Sequence, residues 1–165
     1  MAHEEKKYRV DSFEPIITKL TALGAAAGPR ITAIHYYGAH SGSDVEKFVE
    51  YADHCEIHVL KENNGAFVMT EHRKISGKDE GVAWLKSRGY TTATVVKMDY
   101  VEYVYKNGTV GLYTIDDFLH SVILYYPPAD HNDREKEFAL ENAERIGVPY
   151  NKYLEQLGVV RNITL

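Results

Sequence analysis

The sequence predicts a single α+β domain built around a mostly antiparallel sheet of about eight strands. Short runs rich in β-branched and aromatic residues recur along the chain, and such runs are typical of strands. Asn-Gly pairs at 64–65 and 107–108 each separate two of these runs and are typical of β-hairpin turns. At 165 residues the chain has the length of one domain, and no repeat or linker indicates a second. We therefore expect one domain over residues 1–165.

The individual elements follow from hydrophobic periodicity, from capping residues, and from the glycines and prolines that end them. The predicted strands are 3–10, 31–37, 55–61, 66–73, 91–97, 100–105, 109–115 and 119–126. The predicted helices are one that follows an Asp11 and Glu14 capping box and carries Ile16, Leu20 and Leu23, a short piece at 45–51, one at 79–88, one that begins at Asn132 and carries Phe138 to Ile146, and a short last helix at 151–157.

Composition excludes several classes of function. The single cysteine, Cys55, leaves no internal disulfide. A net charge of -5 with scattered basic residues lacks the positive patch that a nucleic-acid backbone requires. No apolar run approaches the roughly 20 residues needed to cross a bilayer, and the charged first ten residues are unlike a signal peptide. We expect a cytoplasmic protein whose partners include neither nucleic acid nor a membrane.

Ionisable side chains recur on one face of successive predicted strands. Because side chains alternate along a strand, the first strand places His3, Glu5, Lys7 and Arg9 together. Such a strand is either an edge strand in water or one wall of a polar cavity, and repetition on other strands favours the cavity. The other members of the pattern are Glu56 and His58, opposite the apolar face of Cys55, Ile57 and Val59; Thr70 and His72, opposite Met69 and Glu71; and Lys97 with Asp99.

Four segments resemble, in the right order, motifs of one family. Residues 3–10 resemble the opening ExExK strand of the CYTH, or triphosphate tunnel, family, and especially its class IV adenylyl cyclase branch. Residues 96–99 with Tyr103 resemble the KxR strand and its following tyrosine. Residues 115–117 are similar to the Leu-Asp that follows the last hairpin, and 153–157 to the short C-terminal helix of the cyclase branch.

The resemblance implies an eight-stranded, mostly antiparallel β-barrel, or tunnel, with flanking helices. In the family, lysines and arginines in the tunnel hold a triphosphate, and glutamates hold Mg or Mn for attack on a phosphoryl centre. A homodimer is implied in the same way. Carried over residue by residue, the resemblance makes Lys97 catalytic, assigns substrate binding to Lys7, Arg9, Lys97, His58 and His72, and assigns metal binding to Glu5, Asp116 and His3.

Several charged positions of the family's motifs carry other residues in this chain. The first motif glutamate is His3, and the arginine of KxR is Asp99. Arginine forks are hard to replace in phosphate recognition. The other departures are Glu56 and His58 for two arginines, His72 for a lysine, and Leu124 and Tyr126 for the closing ExE pair.

The predicted lining therefore no longer favours a polyanion. It sets Lys7, Arg9 and Lys97 against Glu5, Glu56, Asp99 and Asp116. A triphosphate carries several negative charges that must be paired when they leave water. We predict a diverged CYTH-like protein that binds a small anionic ligand or serves as an interaction module, with weak or no catalysis.

Two alternatives stay open at this point. In the first, the protein is an active Mg- or Mn-dependent triphosphatase or adenylyl cyclase, and Arg73, Lys74 or Lys78 supplies the missing positive charge. In the second, histidines form a new transition-metal site, since neutral imidazole and carboxylate suit zinc or nickel. The residues of that second site are His3, His58 and His72 with Glu5.

Overall fold

Eight strands form a closed hydrogen-bonded ring in the computed structural model, which describes residues 2–40 and 42–165. In chain order the strands are β1 (Glu4–Arg9), β2 (Ala26–Ala27), β3 (Ile31–Gly38), β4 (Val45–Glu50), β5 (Cys55–Asn63), β6 (Ala66–Ile75), β7 (Thr92–Tyr105), β8 (Gly108–Ile115), β9 (Leu119–Tyr126), β10 (Glu144–Arg145) and β11 (Asn162–Thr164). The order around the ring is β1-β6-β5-β4-β3-β7-β8-β9, β9 pairs with β1 to close it, and every neighbouring pair is antiparallel. The predicted eight-stranded antiparallel tunnel is thereby confirmed.

Helices flank the ring and close part of it. In the described part of the chain they are α1 (Glu14–Ala22), α2 (Lys78–Ser87), α3 (His131–Glu137) and α4 (Tyr150–Gln156), with a 3-10 turn at Pro128–Asp130. α1 buries Ile16 and Leu20 as predicted. The predicted capping box of Asp11 and Glu14 is absent, because the N-cap residue is Phe13 and the Glu14 backbone N–H donates to Ser12 Oγ at 3.1 Å instead. α2 packs outside β4 and β5, whereas α4 packs against side chains inside the ring. No helix among these is long and apolar enough to cross a membrane.

Residues 45–50 form strand β4, so the helical piece predicted at 45–51 is wrong. Both faces of this strand are buried, because Val45 and Lys47 line the interior of the ring while Phe48 packs outside it beneath α2. A strand that is buried on both faces lacks the polar and apolar alternation by which a strand is told from a helix. The correction places Lys47 inside the ring.

Two other predicted elements have different bounds. The strands predicted at 91–97 and 100–105 are one continuous strand, β7, of 14 residues. The helix predicted to carry Phe138 to Ile146 ends at Glu137. Ala139 has a φ of +55°, a left-handed conformation that a helix does not continue through, and β10 then pairs with β1. Phe138 and Ile146 are nonetheless buried, but in different clusters, so their spacing is not that of one helix face.

Gly108, at the start of β8, leaves no room for a side chain. A Cβ atom there would lie 2.1 Å from the Tyr125 carbonyl oxygen and 2.5 Å from the Tyr126 ring. We expect Gly108→Ala to lower the free energy of unfolding by about 1–3 kcal/mol in urea denaturation, because only a shift of the backbone relieves the first contact. Gly77→Ala is the control, since a Cβ there meets no atom within 4 Å. Equal losses in both variants would contradict this explanation.

Candidate functional site

The ring encloses a cavity of about 340 Å³, a volume in the range of small-molecule sites. Every strand of the ring contributes to its wall, and α4 with the residue before it adds Tyr150 and Pro149. The interior is therefore the polar cavity that side-chain alternation predicts. Its ionisable and phenolic side chains are Glu5, Lys7, His35, Tyr37, Lys47, Tyr51, Glu56, His58, His72, Tyr100, Glu102, Tyr113, Tyr125 and Tyr150.

Lys7, on β1, is a buried ammonium group among aromatic rings. Its Nζ donates to the Val148 carbonyl oxygen at 2.6 Å and lies 4.2 Å from the ring centroid of Phe67 and 4.3 Å from that of Tyr150. Burial lowers the pKa of Lys7 to about 7, although the neighbouring Glu5 carboxylate opposes this shift. Near neutral pH this amine therefore exchanges readily between its charged and neutral forms.

Lys47, on β4, is the second ammonium group in the cavity. Its Nζ donates to the Tyr37 hydroxyl at 3.3 Å. Burial lowers the pKa of Lys47 to about 8, against the attraction of Glu5. Burial in turn raises the pKa of Glu5, while Lys47 and Lys7 act to lower it. The two lysines thus share the Glu5 carboxylate, which partly compensates both charges.

Three histidines converge on the carboxylate of Glu56. Nε2 of His58 and Nε2 of His72 donate to its Oε1 at 2.8 and 2.7 Å, and Nε2 of His54 donates to its Oε2 at 2.7 Å. Burial raises the pKa of Glu56, but these hydrogen bonds outweigh it and bring the pKa to about 2. Burial and the Lys47 charge lower the pKa of His58 to about 4. At neutral pH this wall carries an ionised carboxylate and a neutral His58.

A β-bulge at Thr70 brings His72 to this wall. Val59 pairs with Glu71 and Leu60 pairs with Met69, which leaves Thr70 without a partner residue. The extra residue shifts the alternation, so Met69 and His72 both line the cavity although they are three residues apart. The prediction that His72 lies opposite Met69 is therefore wrong, while the inward position of His72 itself stands.

His35, on β3, is a buried imidazole without a protein partner. It is 6% exposed, it lines the cavity, and neither ring nitrogen has a hydrogen bond to the described residues. Burial, with Lys47 and His58, holds the pKa of His35 well below its usual range. A buried polar group in this state favours a ligand or water that reaches it.

Four of the predicted site residues meet in the cavity and four do not. Glu5, Lys7, His58 and His72 line it. Lys97 lies on the opposite face of β7 from Met98, Tyr100 and Glu102, which face inward. Its Nζ donates to Asp117 at 3.0 Å, and its side chain is 39% exposed. The catalytic and substrate-binding roles predicted for Lys97 therefore find no place in the cavity geometry.

Arg9 also lies away from the cavity. Its guanidinium donates to the Tyr153 hydroxyl at 3.2 Å, and the residue borders an open groove of about 610 Å³ between α1 and residues 138–144. Arg9 follows Glu5 and Lys7 on the same face of β1, but it is not among the residues that line the cavity, and its guanidinium contacts Tyr153 of α4 instead. The substrate-binding role predicted for Arg9 therefore finds no place in the cavity geometry.

The predicted metal ligands are not brought together. Glu5 pairs with Tyr125 on β9, whereas Asp116 follows Ile115, which pairs with Leu119 at the other end of β9. Six residues of strand separate these two points by roughly 20 Å, so one ion cannot bind both carboxylates. Nε2 of His3 donates to the Asn107 carbonyl oxygen at 2.6 Å, and its ring lies 5.0 Å from that of Tyr125, but His3 is not among the residues that line the cavity.

The residues present do not fit the implied Mg or Mn site. Such ions prefer oxygen ligands, but the inward positions of β9, where the family's closing carboxylates are expected, are Ile123 and Tyr125. Leu124, which the sequence aligns with one of those carboxylates, packs in the hydrophobic cluster that includes Ile16 and Leu20 of α1. One group in the described part of the chain is close enough to hold a metal ion, and it is Glu56, His58 and His72.

Sequence reasoning missed three cavity residues with an imidazole, ammonium or carboxyl group, namely His35, Lys47 and Glu102, and all of the tyrosines that line the cavity. Alternation along strand 31–37 could have placed His35 and Tyr37 on one face, and continuing the alternation from Met98 could have found Glu102. Lys47 was missed because residues 45–51 were predicted to be helical, whereas they contain strand β4. Glu102 and His72 are the solvent-exposed members of the lining.

The basic residues proposed to replace the missing charges do not line the cavity. Arg73 lies 2.9 Å from Glu71 and 3.6 Å from Glu80 in ion pairs on the outer surface. Lys78 lies over the Tyr36 ring at 5.0 Å, in the cluster beneath α2. Lys74 is exposed and is absent from the cavity wall.

Solved structures share this fold. A protein from Pyrococcus horikoshii OT3 is similar with a TM-score of 0.73 and 17% identity, over 86% of this chain and 94% of its own. A candidate adenylate cyclase from Vibrio parahaemolyticus gives 0.67 and 16%, over 93% and 98%. A candidate adenylyl cyclase from Hippeastrum, described as having a dominant triphosphatase activity, gives 0.51 and 10%, over 89% and 89%. No family model and no curated protein sequence matches the chain.

These likenesses establish the fold. The ring of eight antiparallel strands, with polar side chains inside and helices outside, is a CYTH-like, triphosphate-tunnel fold, as the sequence motifs predicted. At 10–17% identity the activities of the similar proteins belong to those proteins alone. The function of this chain depends on the residues of its own cavity.

Proposed function

We propose that this chain binds a small organic anion of low charge inside the ring and has lost the triphosphate chemistry of its fold. The observation that carries the proposal is the charge of the cavity. Lys7 and Lys47 are its ammonium groups, and Glu5, Glu56 and Glu102 are its carboxylates. No guanidinium lines the cavity among the described residues. Such an interior can pair one negative group but repels several.

The anion would lie between Lys7 and Lys47. Both Nζ groups act on the same carboxylate, since the charge of each lowers the pKa of Glu5. A single sulfonate, carboxylate or phosphate could replace Glu5 as the partner of Lys47 and accept from its free hydrogens. A charge-assisted hydrogen bond of this kind is worth about 1.5–3 kcal/mol.

The rest of the ligand would be flat and largely apolar. Tyr100 and Tyr113 stack with ring centroids 4.5 Å apart on one side of the cavity, and Phe67 and Tyr150 flank Lys7. Aromatic walls favour an aromatic or cyclic body. The unpartnered imidazole of His35 offers it a further polar contact.

A second candidate function is a metal-dependent triphosphatase or adenylyl cyclase. The observation that favours it is the dominant triphosphatase activity described for the structural neighbour from Hippeastrum. Against it stand the surplus of carboxylates in the cavity and the separation of Glu5 from Asp116. The two candidates differ in which anion binds and in whether Mg or Mn is required.

Calorimetric titration of benzenesulfonate, a ring with one permanent negative charge, tests the proposal. We expect binding at pH 6.5 that weakens about 10- to 100-fold in Lys47→Met, because one charge-assisted hydrogen bond is lost. Lys97→Met is the matched control, since that lysine lies on the outer face of the ring, and its affinity should equal that of the wild type. Tripolyphosphate and ATP, with and without Mg or Mn, should bind more weakly than benzenesulfonate.

Two outcomes would overturn the proposal. Tripolyphosphate binding that exceeds benzenesulfonate binding and disappears in Lys47→Met would instead support the second candidate and call for hydrolysis and cyclisation assays. Equal loss of benzenesulfonate affinity in Lys97→Met and Lys47→Met would place the anion outside the ring. Circular dichroism of both variants separates loss of the site from loss of the fold.

A further inference from the structure

Three side chains of metal-binding type meet on the cavity wall formed by β5 and β6. His58 pairs directly with His72 across the two strands, and Glu56 lies two residues before His58 on the same face. The two imidazole rings are perpendicular, with centroids 4.8 Å apart. One ligand atom from each of the three residues lies within 4.8 Å of the others.

We infer that Glu56, His58 and His72 bind a divalent first-row transition metal, zinc in the first instance, with an open coordination position facing the cavity. This inference goes beyond the proposed anion site: Glu56 counts toward the charge of the cavity, but none of the three residues is proposed to contact the anion. Two imidazoles and one carboxylate suit zinc, whereas Mg and Ca prefer all-oxygen sites. A set of three protein ligands leaves one position for water or for another ligand.

The distances are close to those that a metal needs. Nε2 of His58 and Nε2 of His72 now lie 2.8 and 2.7 Å from Oε1 of Glu56. A tetrahedral zinc ion with bonds of about 2.0–2.1 Å separates its ligand atoms by about 3.3 Å. Opening the cluster by about half an ångström therefore accommodates the ion, and exposed His72 gives it a route from solvent.

A further histidine orients the carboxylate. Nε2 of His54 lies 2.7 Å from the other oxygen of Glu56, and its Nδ1 lies 2.7 Å from Oδ1 of Asp53. This chain of hydrogen bonds holds Oε1 of Glu56 toward His58 and His72. His54 is therefore a positioning residue, of the kind that tunes metal affinity without touching the ion.

The same contacts could exist without a metal, with both imidazoles simply donating to the carboxylate. In that state each Nε2 carries a proton, whereas metal binding requires the Nε2 lone pair and moves the proton to Nδ1. The two states therefore differ in tautomer and in affinity for metal. A measurement of metal binding distinguishes them directly.

Tag-free protein, dialysed against a chelator and then against buffer, would be titrated calorimetrically with Zn²⁺, and with Co²⁺ while its visible absorption is recorded. We expect one equivalent of each to bind, with cobalt bands of a four-coordinate site, and no competition from Mg²⁺. His54→Ala should weaken zinc binding about 10- to 100-fold with the stoichiometry kept. His72→Ala and Glu56→Gln should weaken it more than His54→Ala does.

His120→Ala is the matched histidine control, because His120 packs against Phe13 on the outside of the ring. It should bind zinc as the wild type does. Absence of zinc binding in the wild type, or one equivalent retained at full affinity in both His72→Ala and Glu56→Gln, would overturn the inference. Benzenesulfonate titration of the same chelator-treated protein tests the anion site separately, so failure of one proposal leaves the other measurable.

Discussion

Binding of benzenesulfonate should weaken at least about tenfold between pH 6.5 and pH 9, the loss expected from Lys47 alone. Burial lowers the pKa of Lys7 to about 7 and that of Lys47 to about 8. A lysine is cationic below its pKa, so both are largely charged at pH 6.5. At pH 9, two units above the lower pKa, roughly one Lys7 in a hundred carries a charge, and roughly one Lys47 in ten. The anion then loses the charges that attract it.

The other ionisable groups of the cavity do not reverse this fall in benzenesulfonate affinity with rising pH. Glu56, with a pKa of about 2, and His58, with a pKa of about 4, keep their charge states throughout the window. The pKa of Glu5 is raised by burial, and its ionisation with rising pH would only add negative charge. Exposed lysines of ordinary pKa would hold an anion equally well at both pH values, which is the contrary outcome.

Calorimetry at intervals of half a pH unit measures the effect. Benzenesulfonamide, which is uncharged over most of this range, is the matched ligand control, and its affinity should stay flat. The neutral ligand separates loss of charge attraction from any change of the cavity itself. A parallel fall for both ligands would contradict the assignment of the anion to Lys7 and Lys47.

The sequence predicts those parts of the cavity wall where one face of a strand is plainly apolar. On β5, Cys55 and Ile57 pack against the outer cluster beneath α2, and Glu56 and His58 accordingly turn inward. The period of two is then enough to assign each side chain to a face. Both predicted hairpins are present: the first turns at Asn64-Gly65, and the second turns at Lys106-Asn107, one residue before the predicted pair.

Where both faces are apolar, the pattern loses this information. β4 buries Val45 inside and Phe48 outside, and a run buried on both sides cannot be told from a short helix by periodicity. β7 carries apolar residues on both faces, so alternation groups Lys97 with Asp99 but does not tell which face is interior. The motif resemblance predicted that Lys97 faces the interior of the ring. In the structure Met98 faces the interior instead.

The bulge at Thr70 is a further limit of sequence reasoning. One extra residue reverses the alternation from there on, and nothing in residues 66–73 marks its position. The packing of β6 between β5 and β1 decides it, since Met69 pairs with Leu60 and Glu5 pairs with Phe67. The cluster of Glu56, His58 and His72 depends on the position of this bulge, because the bulge brings His72 to the inner face of β6.

Lys47→Met should raise the stability of the fold while it weakens anion binding. A pKa lowered by burial from 10.5 to about 8 corresponds to a cost of about 3 kcal/mol for keeping the Lys47 ammonium charged inside the ring. Methionine is of similar length and has no charge to desolvate. Part of the gain is offset because Glu5 loses an attractive neighbour. We expect a net gain of about 1–3 kcal/mol at pH 7.

The pH dependence of that gain identifies its cause. The folded-state pKa of Lys47 is depressed, so the unfolded chain binds more protons between about pH 8 and the ordinary pKa of lysine, and wild-type stability rises with pH there. The advantage of Lys47→Met should therefore be fully present below pH 8 and should shrink toward pH 10.5. Urea denaturation at several pH values measures both variants on one scale.

Lys97→Met is again the control, because the hydrogen bond and charge of Asp117 outweigh burial and raise the pKa of Lys97. Replacing it should leave stability unchanged or slightly lower it at every pH. A residue whose removal stabilises the fold but weakens ligand binding is retained at a thermodynamic cost, as binding groups often are. If Lys47→Met instead destabilises the fold at pH 7, Lys47 is part of a favourable ion pair with Glu5, and the cavity lacks the free cation that the anion site requires.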